Sequence, residues 1–527
     1  MTSDIKQGQI VETIVDTAAG KLRGEQVGGI HRFRGVPYGQ STGGANRFLR
    51  ARPVDPWSGV REASGYGARA PQPEEPSSGL AWRGWIRDRS GMDEDCLVLN
   101  IWTPGLDAGK RPVMFYIHGG GFNTGSGGAA GCDGEIMARR GDAVVVTLNH
   151  RLNLFGHLYF ERVDERHADA GNNGVLDIVA ALQWARANIH AFGGDAGNVT
   201  IFGQSGGGSK VAVLMAMAEA KGLFHKAVVQ SASSLFRMAA REEAARCTHA
   251  LMKELGMAGG DLSALHDVPA ATLLAARKRA VATAGDNFRP VVDGGSLVSH
   301  PFDPSAPAAS ADVPLLIGTC ETELTFALGV NPGNFTLSED EARQRVSKFV
   351  AVDEAQAATL MRRFRASRPS ASPSDVMVAV MSEHMYRRND ILAAERKAAE
   401  VAAGGAPVYM YLFTWKTQAV KGMLKTPHTM CIPFVFGTVD AAAEMLGNGP
   451  ERHILSDRVM DTWLAFARTG RPGHPGLPSW QPYSVGERAT MIFDNECRQE
   501  ADPLSADRLA MEGVPPYTAD ASMRRNG

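Results

Sequence analysis

The stretch IFGQSGGGSK, residues 201 to 210, has the spacing G-x-S-x-G at Gly203, Ser205 and Gly207. The apolar run VTIF precedes this spacing and VAVLMAMA follows it, which predicts a strand that turns abruptly into a helix. Such a turn strains the serine backbone and brings its neighbours close together, so the flanking residues must be small. The pattern therefore predicts that Ser205 is a nucleophile presented on a sharp turn.

Two other interpretations would make a glycine-rich turn a phosphate site. The spacing of a phosphate-binding loop, G-x-x-x-x-G-K-[ST], fits from 203 to 208, but Ser209 and Lys210 then follow in the reverse of the required order. A G-x-G-x-x-A match at 125 to 130 is separated by a loop from the strand that it should follow directly. Both details disfavour a nucleotide site, which leaves a plain glycine-rich helix start as the alternative to a nucleophile.

A nucleophile that attacks an ester also needs donors for the oxyanion that forms. The run HGGGF, residues 118 to 122, directly follows the apolar run VMFYI and is typical of a loop that supplies backbone N–H groups. We assign the oxyanion hole to the N–H groups of Gly120, Gly121 and Gly206, since a bare backbone can approach the substrate closely. The alternative is an ordinary glycine-rich turn.

Short apolar, β-branched runs elsewhere predict the strands that position these loops. The runs lie at 113 to 118, 143 to 149, 199 to 203, 226 to 231, 313 to 318 and 407 to 413. Helical spacing of apolar residues at 175 to 189 and 458 to 468 alternates with them, which predicts a parallel sheet covered on both faces. Ala-rich segments at about 236 to 300 and 333 to 405 predict helical excursions that cover the carboxyl edge of the sheet.

Composition and charge exclude several classes of function. The chain has 527 residues, is 44% hydrophobic and has a net charge of -2, which provides no broad attraction to nucleic acid or to anionic lipid. No apolar run is long enough to span a bilayer, and the polar amino terminus lacks the features of a secretory signal. The six cysteines show no metal-ligand spacing. We therefore expect a cytoplasmic protein with free thiols, no nucleic-acid partner and no membrane association.

Beyond these two loops, several motifs in order resemble the type-B carboxylesterase family, which includes cholinesterases and para-nitrobenzyl esterases. The resemblance extends from about residue 20 to 495 and rests on FRGVPYG (33 to 39), NRF (46 to 48), EDCLVLNIWTP (94 to 104), NHRLNLFG (149 to 156), NNGVLD (172 to 177), NIHAFGGDAGNVTIFG (188 to 203) and PSWQPY (478 to 483). It implies an α/β-hydrolase fold, a large and mostly parallel central sheet flanked by helices, in which residues 1 to 527 form a single domain.

The resemblance also implies the remaining members of a catalytic triad. In similar proteins an acid lies five residues after a glycine that ends a strand, and Glu323 lies five after Gly318, with Glu321 as the nearby competitor. The histidine of the family precedes a run ending in F-V-F-G, which here indicates His428. The order Ser205, Glu323, His428 is that of the α/β-hydrolases.

These residues imply an esterase that needs neither metal nor cofactor. We expect a serine carboxylesterase acting through an acyl-enzyme on small to medium neutral esters, with an ester and water as its only partners, as a monomer or homodimer. Hydrolysis of amides, carbamates or lipid esters by the same triad is an alternative. A non-catalytic interaction module of the cholinesterase type is a remote one, because such modules have typically lost triad members.

The sequence departs from the family pattern around the triad. Gln204 stands where Glu is common, which weakens the case for cationic substrates, and Leu324, Thr429 and Cys431 replace a usual Gly, Gly and Glu. Cys320 and Cys431 each lie three residues from a triad member, where thiol reagents could affect activity, although buried small side chains are the simpler interpretation.

Further positions are assigned by the same resemblance. We expect Gln204, Phe122 and Trp85 to contact substrate, with Trp85 at the rim of the cleft; packing of Trp85 away from the cleft is an alternative. Cys96 stands where secreted relatives close a disulfide, but no cysteine precedes it. Two ion pairs, Arg47 with Glu94 and Arg151 with Asp177, are expected to support the scaffold.

Overall fold

A computed structural model describes residues 10–74, 80–161, 165–257 and 263–517. Within these ranges the strands form one 13-stranded sheet. They are β1 Val11–Thr17, β2 Gly20–Val27, β3 Ile30–Pro37, β4 Val60–Glu62, β5 Val98–Thr103, β6 Arg111–Ile117, β7 Val144–Leu148, β8 Gly194–Gln204, β9 Lys226–Gln230, β10 Leu315–Cys320, β11 Val408–Phe413, β12 Ala489–Phe493 and β13 Arg498–Ala501. All six strands expected from the sequence are present.

The sheet is parallel in its middle and antiparallel at its two ends. The strand order is β1-β2-β3-β5-β7-β6-β8-β9-β10-β11-β12-β13, with β4 beside β2. Pairing is parallel from β7 through β6 and β8 to β12. Successive strands in the order β1, β2, β3, β5 and β7 pair antiparallel, as do β12 and β13, whereas β4 pairs parallel with β2. The antiparallel end formed by β1, β2, β3 and β5 was not predicted from the sequence. Its first strands are joined by short turns, which only an antiparallel pair allows.

Helices flank this sheet on both faces. They are α1 Glu135–Gly141, α2 Asn153–Gly156, α3 Asn173–Asn188, α4 Gly206–Ala216, α5 Arg241–Glu254, α6 Ser263–His266, α7 Ala270–Ala284, α8 Thr325–Leu328, α9 Glu339–Val350, α10 Glu354–Ala366, α11 Pro373–Ser382, α12 Arg388–Val401, α13 Cys431–Phe436, α14 Ala443–Leu446, α15 Glu451–Thr469 and α16 Ser505–Ala510. A π-helical turn, Glu383–Arg387, joins α11 to α12. The predicted helices at 175 to 189 and 458 to 468 correspond to α3 and α15. The two predicted excursions correspond to α5–α7 and α9–α12, and a single domain over 1 to 527 stays a prediction.

Two hydrophobic cores lie on opposite faces of the sheet. Alternate residues of β8 point to opposite faces, so that Ile201 packs in one core and Phe202 in the other, and both are fully buried. Because the central strands are buried on both faces, their sequences are unbroken apolar runs rather than alternating apolar and polar residues. Within the described ranges, no helix combines the length and apolar character that crossing a bilayer requires.

Both predicted ion pairs are confirmed. Arg151 donates from Nε and Nη2 to the two carboxylate oxygens of Asp177 at 2.9 and 2.6 Å, and both side chains are almost completely buried. Arg47 donates in the same bidentate manner to Glu94. Each pair links segments far apart in the chain, so removing one partner would leave a buried charge uncompensated. All six cysteines are free thiols.

Candidate active site

Ser205 stands alone between β8, which ends at Gln204, and α4, which begins at Gly206. Its backbone has φ 59° and ψ -124°, a conformation that L-residues rarely adopt and that costs on the order of 1–3 kcal/mol. Two backbone hydrogen bonds hold it there: its N–H donates to Gln230 O at 2.8 Å, and its carbonyl accepts from the Ser209 N–H at 3.0 Å. The predicted turn from strand to helix at this serine is confirmed.

The glycines beside this turn let α4 pack directly on the loop that follows β6. A Cβ atom on Gly207 would lie 2.1 Å from the carbonyl oxygen of Ile117, and one on Gly206 would lie 2.2 Å from that of Gly121. Neither approach leaves room for a side chain. The sequence G-x-S-G-G therefore brings the start of the helix against the HGGGF loop.

The predicted oxyanion donors lie at this contact. Gly120 and Gly121 have φ angles of +88° and +62°, which direct the chain into a tight turn. Among the described residues, no hydrogen bond uses the N–H of either glycine as donor. Gly206 is the first residue of α4, so its N–H has no partner within the helix. These N–H groups are thus available to a ligand.

His428 is fixed by Glu323. The imidazole Nδ1–H donates to Glu323 Oε2 at 2.5 Å, and the His428 N–H donates to the Glu323 carbonyl at 3.2 Å. The other carboxylate oxygen accepts from the N–H of Cys320 at 2.7 Å, and Glu323 is 1% exposed. Because the carboxylate can only accept, the proton stays on Nδ1 and Nε2 keeps its lone pair.

Glu321, the competing acid, is directed elsewhere. Its carboxylate lies 3.6 Å from the ammonium of Lys416 and retains about a quarter of its exposed surface. Among the described residues, Glu321 has no hydrogen bond with His428. The structure thus brings Glu323, rather than Glu321, against the imidazole.

The amide of Gln204 lies beside the imidazole ring of His428 in this structure. Gln204 Nε2 lies 3.1 Å from His428 Nε2 and 3.3 Å from Nδ1, and Gln204 is 1% exposed. No hydrogen bond within the described ranges joins Ser205 Oγ to the imidazole. Since catalytic hydrogen bonds in unliganded enzymes often tighten only when substrate binds, the Ser205–His428 contact stays a prediction.

Two aromatic residues near His428 were missed by the sequence reasoning. The ring of Tyr386, on the π-helical turn, is centred 4.8 Å from the imidazole, and that of Phe326 lies 6.3 Å away. The sequence reasoning assigned no role to either residue. Packing of the second helical excursion against the end of β10 brings Tyr386 to the site, whereas Phe326 lies in α8, shortly after Glu323.

A cavity of about 380 Å³ opens beside the HGGGF loop. Its lining includes Gly119, Gly120, Gln204, Tyr116, Thr429, Ile432, Ile86, Gln72, Arg69 and Arg87. Of the three expected substrate contacts, only Gln204 is in this wall. Trp85 is 3% exposed, and its ring packs closely on Gly131. A Cβ atom on Gly131 would lie 2.2 Å from the Trp85 ring. The neighbouring residue Ile86, rather than Trp85, lines the cavity. Phe122 packs edge-on against His157, with ring centres 5.6 Å apart.

The thiols near the site are buried. Cys320 and Cys431 are 2% and 1% exposed, and Gln230 Nε2 donates to Cys431 Sγ at 3.3 Å. Burial, followed by a hydrogen bond with Cys431, raises the pKa of Cys320 well above its usual value. Of the described residues, no three or more His, Cys, Asp or Glu side chains are arranged to hold a metal ion.

Comparisons with known proteins show the family to which the chain belongs. The model of the Carboxylesterase family matches residues 11–511. The chain belongs to the carboxylesterase family. This carboxylesterase is 34% identical over 505 residues to a para-nitrobenzyl esterase of Bacillus subtilis, which covers 94% of the chain and 97% of that protein. It is 32% identical over 511 residues to phenmedipham hydrolase of Pseudarthrobacter oxydans, covering 94% of the chain and 98% of the relative.

Solved structures agree with the sequence relatives. A carboxylesterase of Geobacillus stearothermophilus superposes with a TM-score of 0.81 at 37% identity, covering 94% of this carboxylesterase and 99% of that chain. An esterase of Clostridium hathewayi, titled as able to hydrolyse aliphatic aromatic polyesters, has a TM-score of 0.80 at 34% identity, with 96% and 100% covered. The predicted α/β-hydrolase fold and the predicted class, carboxylic ester hydrolase, are both confirmed.

Proposed function

We propose that this carboxylesterase hydrolyses small to medium neutral esters with Ser205 as nucleophile, His428 as general base and Glu323 as the acid that orients it. The observation that supports the assignment best is the 2.5 Å hydrogen bond from His428 Nδ1 to the buried Glu323, with the imidazole beside Gln204, the residue next to Ser205. This arrangement leaves Nε2 without a proton and holds the ring next to the residue that precedes Ser205.

The reaction follows from the ionisation of these groups. A serine hydroxyl is too weak an acid to ionise near neutrality, so His428 Nε2 takes its proton as Oγ attacks the ester carbonyl. Glu323 stabilises the imidazolium that results. The imidazolium then protonates the departing alcohol, which leaves an acyl group on Ser205. His428 next activates a water molecule that releases the acid and regenerates the hydroxyl.

The negative charge of each tetrahedral intermediate is assigned to three backbone donors. Gly120, Gly121 and Gly206 offer N–H groups at the contact between α4 and the HGGGF loop. Removing one such donor typically costs about 3 kcal/mol of transition-state stabilisation. These N–H groups stabilise the transition state because they are already in position before the negative charge develops.

The neutral amide of Gln204 favours neutral substrates, because a carboxylate at that position would attract cationic ones. A cavity of about 380 Å³ suits an ester of small or medium size. Carbamates are the second candidate class, since the same triad could attack a carbamate carbonyl, and one relative is named phenmedipham hydrolase. The six free thiols, five of them buried, suit a reducing compartment and support a cytoplasmic location.

One kinetic comparison tests this proposal. Wild-type protein and Ser205→Ala are assayed against para-nitrophenyl esters of increasing chain length and against a matched para-nitrophenyl carbamate. We expect the wild type to show a burst of para-nitrophenol and an optimum at short or medium acyl chains, and the variant to lose turnover with every substrate. Turnover retained by Ser205→Ala would refute the nucleophile.

A further inference from the structure

Lys210 is a buried cation within the helix that starts at the candidate nucleophile. It lies in α4 and has no exposed surface. Among the described residues, no carboxylate forms an ion pair with it. An unpaired ammonium in the interior costs stability, because burial removes its hydration. A side chain kept there at such a cost invites a functional explanation.

The contacts of Lys210 are with both ends of the HGGGF loop. Its Nζ donates to the carbonyl oxygen of His118, the first residue of the loop, at 3.1 Å. The same Nζ lies 5.8 Å from the ring centre of Phe122, the last residue, where a cation is attracted to the aromatic face. Lys210 thus connects the loop that offers two oxyanion donors to the helix that offers the third.

Three buried histidines lie close enough to the ammonium to be affected by its charge, and all three are neutral near neutral pH. His118, His150 and His157 each donate their Nδ1–H to a backbone carbonyl, at 2.9, 2.8 and 3.1 Å. The rings of His118 and His150 are stacked, with centres 4.8 Å apart. Burial, with the charge of Lys210, lowers the pKa of His118 and of His157 to about 3 and that of His150 well below its usual value.

The remaining charged groups around Lys210 cancel each other. Arg151, after β7, is neutralised by its ion pair with Asp177 of α3. Among the described residues, no carboxylate balances the positive charge of Lys210, whereas Asp177 balances that of Arg151. A positive charge behind a set of N–H donors favours a negative charge in front of them.

We propose that Lys210 is a positioning residue for the oxyanion hole: its ammonium fixes the HGGGF loop against α4 and adds a positive potential behind the N–H donors of Gly120, Gly121 and Gly206. This inference rests on the proposed function, because it needs the oxyanion that attack by Ser205 creates. It explains why the helix keeps a lysine where a hydrophobic side chain of similar volume would pack without loss of hydration.

The proposal has a consequence for the pH dependence. Burial lowers the pKa of Lys210 to about 7, so the ammonium loses its proton as the pH rises through neutrality. The neutral amine no longer supplies the positive potential, and kcat falls on the alkaline side.

Lys210→Met is the first test, and Lys397→Met is its matched control. Lys397 is also buried and donates to two backbone carbonyls, Ser310 O at 2.9 Å and Ala311 O at 2.8 Å, but these belong to a turn outside the candidate site. We expect Lys210→Met to lower kcat roughly 10- to 100-fold with KM changed less than about 3-fold, since loop position matters in the transition state. The control is expected to keep wild-type kinetics.

The pH profile of kcat from pH 5 to 9 is the second test, and its wild-type arm needs no variant that could fail to fold. We expect the wild type and Lys397→Met to lose kcat with a midpoint near pH 7 on the alkaline side, and Lys210→Met to lack that fall. A wild-type kcat in Lys210→Met, a wild type without the alkaline fall, or a fall that survives in Lys210→Met would each overturn the inference. Turnover by Ser205→Ala would instead refute the proposed function on which it rests.

Discussion

The amide nitrogen of Gln204 lies 3.1 Å from Nε2 of His428, the nitrogen that we propose accepts the proton of Ser205. A neutral amide thus stands beside the imidazole, where a glutamate would place a carboxylate. At a separation of a few ångströms a buried carboxylate attracts a cation by several kcal/mol. We therefore expect the charge at residue 204 to influence whether cationic esters are favoured.

We predict that Gln204→Glu shifts selectivity towards cationic esters. The ratio of kcat/KM for a choline ester to that for its isosteric 3,3-dimethylbutyl ester should rise roughly 10-fold or more, which corresponds to about 1.4 kcal/mol. The wild type should prefer the neutral ester. Gln204→Met, similar in shape and uncharged, is the control and should keep the wild-type ratio. A choline ester preferred by the wild type would contradict the assignment of neutral substrates.

Replacing the candidate acid should separate it from its competitor. Glu323→Gln keeps the shape of the side chain but removes the charge that stabilises the imidazolium, so we expect kcat to fall roughly 10³- to 10⁴-fold. Glu321→Gln, whose carboxylate faces Lys416, should stay within about 3-fold of wild type. Steady-state kinetics with para-nitrophenyl butyrate measures both. Equal losses in the two variants would argue against Glu323.

Thiol reagents should leave the folded enzyme active. Cys320 and Cys431 are almost fully buried, and the raised pKa of Cys320 keeps its thiol protonated at neutral pH. After iodoacetamide at pH 7.5, activity should be unchanged and peptide mass spectrometry should find both cysteines unmodified. Cys497, the one partly exposed cysteine, is the internal control and should react first. Rapid inactivation together with modification of Cys320 or Cys431 would show that the thiols are accessible.

The features that could be predicted from the sequence are those carried by short local motifs. The turn at Ser205 and the loop at Gly120 follow from glycine spacing beside apolar runs, and the ion pair between Arg151 and Asp177 follows from the family motifs. Lys210 entered the sequence reasoning only as a residue in the wrong order for phosphate. Its burial could not be predicted, because lysine is normally exposed and only the fold shows which face of α4 meets the loop.

The residues that sequence missed are placed by contacts between distant segments. Tyr386 reaches His428 because a π-helical turn directs it there, and nothing in the stretch MYRRND marks that turn. Trp85 was expected at a cleft, but Gly131, in a different segment, offers a flat surface on which its ring packs. The positions of these side chains depend on contacts between segments that are distant in the chain. Such contacts could not be predicted from this one sequence.

Asp390 gives a prediction about stability. It lies in α12, has no exposed surface, and neither of its carboxylate oxygens has a hydrogen-bond partner among the described residues. Burial, and then the nearby charge of Glu323, raise its pKa well above the usual value. We expect Asp390→Leu to increase the free energy of unfolding at pH 7.5 by about 1–3 kcal/mol, since it removes an unsatisfied buried polar group of similar size.

The pH dependence of this increase in the free energy of unfolding distinguishes removal of a titrating carboxyl from a simple improvement in packing. The folded state holds the Asp390 proton to a higher pH than the unfolded state, so the folded state binds more protons and its stability falls as the pH rises above about 4. The gain from Asp390→Leu in urea unfolding should therefore be larger at pH 7.5 than at pH 4.5. Asp177→Asn is the opposite case, because it leaves the buried Arg151 uncompensated and should cost about 3–5 kcal/mol at pH 7.5. An Asp390→Leu gain that is equal at both pH values would show that the buried carboxyl does not titrate as its surroundings require.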